Sequence, residues 1–206
     1  ADLHSKRQMR RLLQGDVGSG KTVVAVFAIY AAVTAGYQAA LMVPTEILAQ
    51  QHFAKIDELL KPLGVRVALL TGDTKDLEKK EIYRELADGT INVVIGTHAL
   101  IQKEVHFKNL GLVIIDEQHR FGVNQRNTLI KKGDAPDILA MTATPIPRTL
   151  ALTVYGDMAV SEIRHLPKGR KPVVSSWATS SKLREVLDLM RSQLDKGFQI
   201  YVVTPL

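Results

Sequence analysis

Two spacings of apolar residues alternate along the chain. Short runs rich in β-branched and aliphatic residues are separated by longer stretches whose apolar positions fall three and four apart. The short runs predict strands over Arg11–Gln14, Ala39–Val43, Val65–Leu70, Asn92–Ile95, Leu112–Ile115 and Ile138–Met141. The longer stretches predict helices over Thr22–Ala35, Glu46–Lys61, Asp76–Ala87, Asn124–Lys131 and Thr149–Val154. Strands that regularly give way to helices read as repeated βαβ units, so the expected fold is α/β with a doubly wound parallel sheet. Leu112-Val113-Ile114-Ile115 is apolar on both faces, as a central strand covered on both sides would be. The pattern does not order the strands.

The alternation breaks at Leu166-Pro167-Lys168-Gly169-Arg170-Lys171-Pro172. This stretch predicts a linker over 164–172, between a first domain at 1–163 and a further piece at 173–206. That piece reads as a strand (Val173–Trp177), an amphipathic helix (Ser181–Lys196) and a strand (Gln199–Thr204). It is too small to bury a core alone, so it is expected to open a second, truncated domain. Ala1 is not an initiator methionine and the first strand follows almost at once, so more chain is expected upstream.

Composition narrows the picture only in part. With 206 residues, 46% hydrophobic and 23% charged, the chain has the balance of an ordinary globular protein. Its net charge of +6 favours a polyanionic partner without establishing one. The absence of cysteine excludes disulfides and thiolate metal sites and fits a reducing, cytoplasmic setting. The longest apolar run, Val23–Ala35, is too short to span a bilayer and no secretory signal opens the chain, so no membrane role is expected.

The chemistry begins at Gly15-Asp16-Val17-Gly18-Ser19-Gly20-Lys21-Thr22, which fits G-x-x-x-x-G-K-[ST] between a predicted strand and a predicted helix. Glycines let the backbone turn tightly, so that successive N–H groups converge on a phosphate. The start of the following helix adds its positive dipole end. Lys21 would reach the β- and γ-phosphates of a nucleotide, and the Thr22 hydroxyl would ligate Mg²⁺.

Further on, Asp116 and Glu117 stand at the carboxyl end of the most apolar predicted strand, the edge where doubly wound sheets bind ligands. Asp116 suits a metal-side carboxylate, and Glu117 suits a group that orients and polarises an attacking water. The same two acids could instead cap the next helix. Gln118 and His119 follow at once; His119 has no second ligand at metal-binding spacing, and its position after the acid pair suits a link between the nucleotide site and the second domain. Met141-Thr142-Ala143-Thr144-Pro145 ends another predicted strand in two hydroxyls able to report the state of that pair.

In this order the motifs resemble the first RecA-like domain of superfamily-2 helicases, a P-loop NTPase fold. Their finer sequence is similar to the RecG family of ATP-dependent DNA helicases. The likeness rests on Leu13–Thr22, Met42-Val43-Pro44-Thr45-Glu46-Ile47-Leu48-Ala49, Ile95-Gly96-Thr97-His98-Ala99-Leu100-Ile101-Gln102, Asp116-Glu117-Gln118-His119-Arg120-Phe121-Gly122-Val123 and Thr142-Ala143-Thr144-Pro145-Ile146-Pro147-Arg148-Thr149. The transcription-repair coupling factors share part of this set but typically carry Glu at the position of Gln118. Tyr155-Gly156-Asp157 and Gly169-Arg170-Lys171-Pro172-Val173 also look RecG-like, although Lys168 stands where Pro is usual.

The resemblance implies ATP and Mg²⁺ as ligands, with Lys21, Asp116 and Glu117 catalytic and Gln118, His119, Thr142 and Thr144 coupling. It implies duplex and branched DNA as partner, with Pro44, Thr45, Glu46, Gly96, Thr97 and His98 along the DNA face, where threonine capping is the plain structural alternative. Arg120, Arg126 and Arg148 are open between DNA, a second domain and surface ion pairs. It also implies a second RecA-like domain carrying an arginine finger and an N-terminal wedge domain that reads branch points. Gln8 lies too close to the P-loop for the adenine-binding glutamine of such motors. The implied activity is ATP-driven remodelling of stalled forks and Holliday junctions, near the bacterial nucleoid. Another superfamily-2 motor and a non-catalytic nucleotide-binding scaffold are the competing readings.

Overall fold

The computed structural model describes residues 8–144, 158–164 and 173–204. β1 (Arg10–Gly15) leads into α1 (Lys21–Thr34), β2 (Gln38–Met42) into α2 (Glu46–Leu60), and β3 (Val67–Leu70) into α3 (Asp76–Asp88). β4 (Val93–Gly96) and β5 (Leu110–Ile115) precede α4 (Val123–Ile130), β6 (Asp137–Thr142) and β7 (Ala159–Ile163). The strands form one sheet in the order β3-β4-β2-β5-β6-β1-β7, with every pairing parallel. The chain divides into two compact units, Ala1–Pro167 and Lys168–Leu206, and the sheet belongs to the first.

Alternation along each strand builds two cores. Ala39 and Leu41 of β2, with Leu112 and Ile114 of β5, face a cluster containing Ala25, Ile29 and Ala32 of α1 and Ala49, Ile56 and Leu60 of α2. Their neighbours Ala40, Met42, Val113 and Ile115 face the opposite cluster, with Ile82 and Leu86 of α3 and Leu129 of α4. Every residue of β2 is buried, which is why its sequence reads as one apolar run. On α1 the buried residues Ala25, Ala28, Ile29 and Ala32 fall at i, i+3, i+4 and i+7, and three of the four are alanine, which lets the helix approach the sheet closely.

The single polar residue in β2 is fully used. Gln38 Nε2 donates to the carbonyls of Leu86 (3.0 Å) and Ile91 (2.7 Å), while its Oε1 accepts from the Asn109 backbone (2.9 Å). One buried amide therefore ties the end of α3 to the entry of β5, and no polar atom of it is left unsatisfied.

Most predicted elements coincide with observed ones to within a residue or two. β3 begins at Val67 and not at Val65, and α4 runs over Val123–Ile130, one residue ahead of expectation. β7 was not foreseen. The expected helix Thr149–Val154 lies outside the described residues. In the second unit the expected helix is present as α5 (Leu183–Asp195), entered through a single tight turn at Ser180–Lys182. The expected strands Val173–Trp177 and Gln199–Thr204 do not form. A strand needs a partner for its backbone donors and acceptors, and among the described residues of this unit neither segment has one.

Candidate nucleotide site

The parallel registers set the carboxyl ends of five strands along one edge of the sheet, with β6 and β1 running two and three residues past the row through Ile115. Gln14 pairs with Thr142, Ala140 with Ile115, Ile115 with Met42, and Met42 with Gly96. Every motif singled out in the sequence follows one of these ends. β6 separates β1 from β5, so measured across the sheet the start of the phosphate loop and the acid pair lie two strand spacings apart, about 10 Å. That span is comparable to a triphosphate with a metal ion.

The loop after β1 has the shape its glycines demand. Gly18 and Gly20 take positive φ of 78° and 101°, a region side chains rarely enter. Gly15 is closely packed as well: an added Cβ would lie 2.5 Å from Ser19 Oγ, which would have to turn away, and 3.2 Å from Ile163 Cβ. The turn closes through Ser19 N–H to the Asp16 carbonyl (3.1 Å), and Val17 N–H donates to Asp16 Oδ1 (2.7 Å). Lys21 Nζ folds back on the carbonyls of Gly15 (2.6 Å) and Asp16 (3.0 Å), which holds its charge over the loop. Ser19 Oγ is buried without a hydrogen-bond partner. Lys21 and Thr22 open α1 and are half-buried. An open cleft of about 310 Å³ adjoins the loop, lined by Gln14, Gly15, Asp16, Ala143, Glu162, Ile163 and Arg164.

At the end of β5, Asp116 is buried and held from three sides. Its N–H donates to the Met42 carbonyl (3.0 Å), its Oδ1 accepts from Glu117 N–H (3.0 Å), and its Oδ2 lies 3.0 Å from His52 Nε2. Glu117 adopts φ 48°, ψ 49°, a left-handed conformation that costs a non-glycine residue about 1–2 kcal/mol. This bend ends the strand, turns the chain into the tight turn Gln118–Arg120, and leaves the Glu117 carboxylate 3.5 Å from His119 Nδ1. Gln118 is buried, and both polar atoms of its amide lack a partner. Thr142 and Thr144 share a hydroxyl–hydroxyl hydrogen bond of 2.9 Å at the end of β6, reinforced by Thr144 N–H to Thr142 Oγ1 (3.2 Å).

The residues expected along the DNA face follow β2 and β4. Thr45 caps α2, its hydroxyl accepting from Leu48 N–H (3.3 Å), and Glu46 accepts from Asp73 N–H (3.3 Å). Pro44 is half-buried and His98 exposed, whereas Thr97 is buried with its hydroxyl unpartnered. Gly96 packs against β3 so closely that a Cβ would run into the Leu70 carbonyl. Gln8 is spent elsewhere, donating to the Pro136 carbonyl (2.6 Å). Arg120 is exposed, Arg126 keeps a buried Nε without a partner, and Arg148 lies outside the described residues.

Sequence reasoning missed His52 altogether, because its partner lies 64 residues away and no local spacing announces the pair. It also missed the cleft wall supplied by Glu162 and Arg164, which sit at the end of the unforeseen β7.

A glycine-rich loop opening a helix, with a carboxylate pair and a hydroxyl pair on the same edge of a doubly wound parallel sheet, defines a P-loop NTPase of RecA-like fold. Residues 2–153 match the DEAD/DEAH box helicase family. The chain belongs to that family. It is 58% identical over 205 residues to the ATP-dependent DNA helicase RecG of Streptococcus pneumoniae, covering 100% of this chain and 30% of that protein. It is 54% identical over 204 residues to the same helicase of Synechocystis, covering 99% of this chain and 24% of the relative. The chain thus spans less than a third of these curated relatives. Among solved structures, RecG bound to a three-way DNA junction matches with a TM-score of 0.80 at 50% identity, over 100% of this chain and 27% of that one. A DNA-bound DUF1998 helicase, MrfA, shares the fold, with a TM-score of 0.65 at 20% identity over 90% of this chain and 30% of that one. The RecG resemblance of the motifs is borne out by these identities.

Proposed function

We propose that the chain is the ATP-binding motor domain of a double-strand DNA translocase that remodels branched DNA, such as stalled forks and Holliday junctions. The observation that carries this reading is the shared edge: the Gly15–Thr22 loop, the Asp116–Glu117 pair and the Thr142–Thr144 pair all stand at strand ends on the same carboxyl edge of the sheet. Curated relatives at 58% identity are ATP-dependent DNA helicases, and a structure at 50% identity holds a three-way junction, which supports branched DNA as the substrate.

The loop N–H groups and Lys21 bind and orient the phosphates. Gly18 and Gly20 give the backbone the turn that aims those donors. The donor set fits Mg²⁺: one carboxylate (Asp116) and one hydroxyl (Thr22) suit an ion that keeps phosphate and water ligands, in contrast to an all-protein cage. When bound, Mg²⁺ neutralises charge building on the phosphate oxygens. Glu117, aimed over the edge by its left-handed backbone, positions the attacking water and accepts its proton. Its contact with His119, the buried amide of Gln118 and the Thr142–Thr144 bond carry the state of this site to a second RecA-like domain. Pro44, Thr45, Glu46, Gly96, Thr97 and His98 flank the DNA path, where hydroxyls and helix-start N–H groups grip phosphates without reading sequence. A wedge domain elsewhere in the parent protein supplies the branch preference, and the parent works in the bacterial cytoplasm on the nucleoid.

The test is calorimetric titration with Mg·ADP, wild type against Lys21→Ala. Loss of most of the binding heat in the variant is expected, and equal heats from the two proteins would refute the site.

A further inference from the structure

The inner face of α2 is apolar, with Ala49, Ile56 and Leu60 buried and Phe53 partly so. One polar side chain interrupts it. His52 points its Nε2 at Asp116 Oδ2, 3.0 Å away, and each side chain is only 12% exposed. A carboxylate only accepts hydrogen bonds, so the contact puts the imidazole proton on Nε2. Burying such a pair carries a desolvation cost that an apolar contact in the same place would avoid. Its place at the head of the acid pair, with both carboxylate oxygens engaged, points to a purpose at Asp116.

We propose that His52 is a positioning residue for the Mg²⁺ site: it fixes the Asp116 carboxylate in its metal-binding orientation and thereby sets the affinity for the ion. The inference rests on the reading of Asp116 as a metal-side carboxylate. Each Asp116 oxygen spends one lone pair on its donor, Oδ1 on Glu117 N–H and Oδ2 on His52, and keeps the other for an ion or an ion-bound water. Donors behind a ligating carboxylate limit its rotation, so the ion meets a ligand already in place. Removing such a partner typically weakens metal binding about 10–100-fold. The same bond fastens α2 to the end of β5, so the helix capped by Thr45 and the metal side of the nucleotide site share one rigid link.

The test uses a fluorescent ADP and titrates Mg²⁺ into the nucleotide-bound protein. His52→Phe keeps the bulk and removes the donor. It is expected to raise the Mg²⁺ concentration for half-saturation roughly 10–100-fold, while nucleotide binding in EDTA stays at the wild-type level. His52→Gln carries an amide N–H near the Nε2 position and should restore most of the loss, whereas the shorter His52→Asn should not. Half-saturation of His52→Phe at the wild-type Mg²⁺ concentration overturns the proposal. So does an equal loss with and without the ion, which would mark a purely structural role. If His52→Phe does not fold, the Gln and Asn pair decides, and equal Mg²⁺ titrations for those two overturn it as well. Asp116→Asn is the control for the underlying reading: if it leaves the Mg²⁺ titration unchanged, Asp116 is no metal ligand and that reading fails first.

Discussion

Glu117 holds its carboxylate 3.5 Å from His119 Nδ1 while its own backbone sits at φ 48°, ψ 49°. The two facts are linked, because the left-handed bend at Glu117 is what turns the chain back and brings a side chain two residues on against it. A glycine would take this backbone without strain, and an L-residue costs about 1–2 kcal/mol there. The position therefore trades stability for a carboxylate at the sheet edge.

That trade is measurable. Glu117→Gly should raise stability by roughly 0.5–1 kcal/mol, less than the full strain because glycine also gains freedom in the unfolded chain. Glu117→Val should lower it, since a β-branched side chain suits the left-handed region least. Denaturant titration of the two variants decides the matter, and a Glu117→Gly protein less stable than wild type would show that the bend carries no strain.

Gly96 has a structural duty besides any place along the DNA. A side chain there would meet the Leu70 carbonyl of the neighbouring strand, so Gly96→Ala should destabilise the fold by about 1–3 kcal/mol, the usual range for overpacking. His98, exposed two residues later, should behave oppositely: His98→Ala is expected to leave thermal unfolding unchanged and weaken duplex binding, as the loss of one phosphate contact would. Thermal melts and DNA titrations separate the two roles. A Gly96→Ala protein as stable as wild type would remove the packing argument.

The part of this molecule legible in sequence was the part governed by local rules. β2 and β5 announced themselves because central strands buried on both faces must be apolar throughout. The phosphate loop did so because a left-handed turn before a helix needs glycine at Gly18 and Gly20. β7 escaped because Ala159–Ile163 is an edge strand with its residues exposed or half-buried, and one paired side imposes little pattern. The His52–Asp116 bond escaped because it joins two elements brought together only by the order of β2 beside β5. Val173–Trp177 and Gln199–Thr204 were over-read: their β-branched residues suit a strand, but propensity supplies no partner for the ladder.

Lys132 gives the fold a pH dependence of known sign. Its Nζ donates to the carbonyls of Gln102 (2.7 Å) and Val105 (2.8 Å), and burial lowers its pKa, an effect that Glu104 opposes. A lysine with a lowered folded pKa binds its proton less tightly than the unfolded chain does, so stability rises as pH climbs through the folded value to the ordinary lysine range. Lys132→Met removes this contribution. The stability difference between wild type and variant should therefore move in favour of wild type from neutral to alkaline pH. A difference independent of pH across that interval would contradict the burial argument.

The two acids of the Asp116–Glu117 pair should fail in different ways, because only one of them faces the metal side in the proposed mechanism. Glu117→Gln keeps size and hydrogen bonding but loses the charge that polarises water and the site that takes its proton. ATP turnover should fall by at least about 10²–10⁴-fold, the usual contribution of a general base, while Mg·ADP affinity stays close to wild type. Asp116→Asn alters the carboxylate held by Glu117 N–H and His52. The amide is a weaker ligand for a hard cation, and it can also turn an NH₂ toward the His52 Nε2 proton, so the prepared geometry is lost as well. This variant should lose turnover and nucleotide affinity together, with excess Mg²⁺ restoring part of the affinity. Steady-state ATP hydrolysis with duplex DNA, paired with Mg·ADP titrations of each variant, reads both effects. If Glu117→Gln weakened Mg·ADP as much as Asp116→Asn does, the pair would act as one metal site, and the water-positioning role would have to pass to another residue.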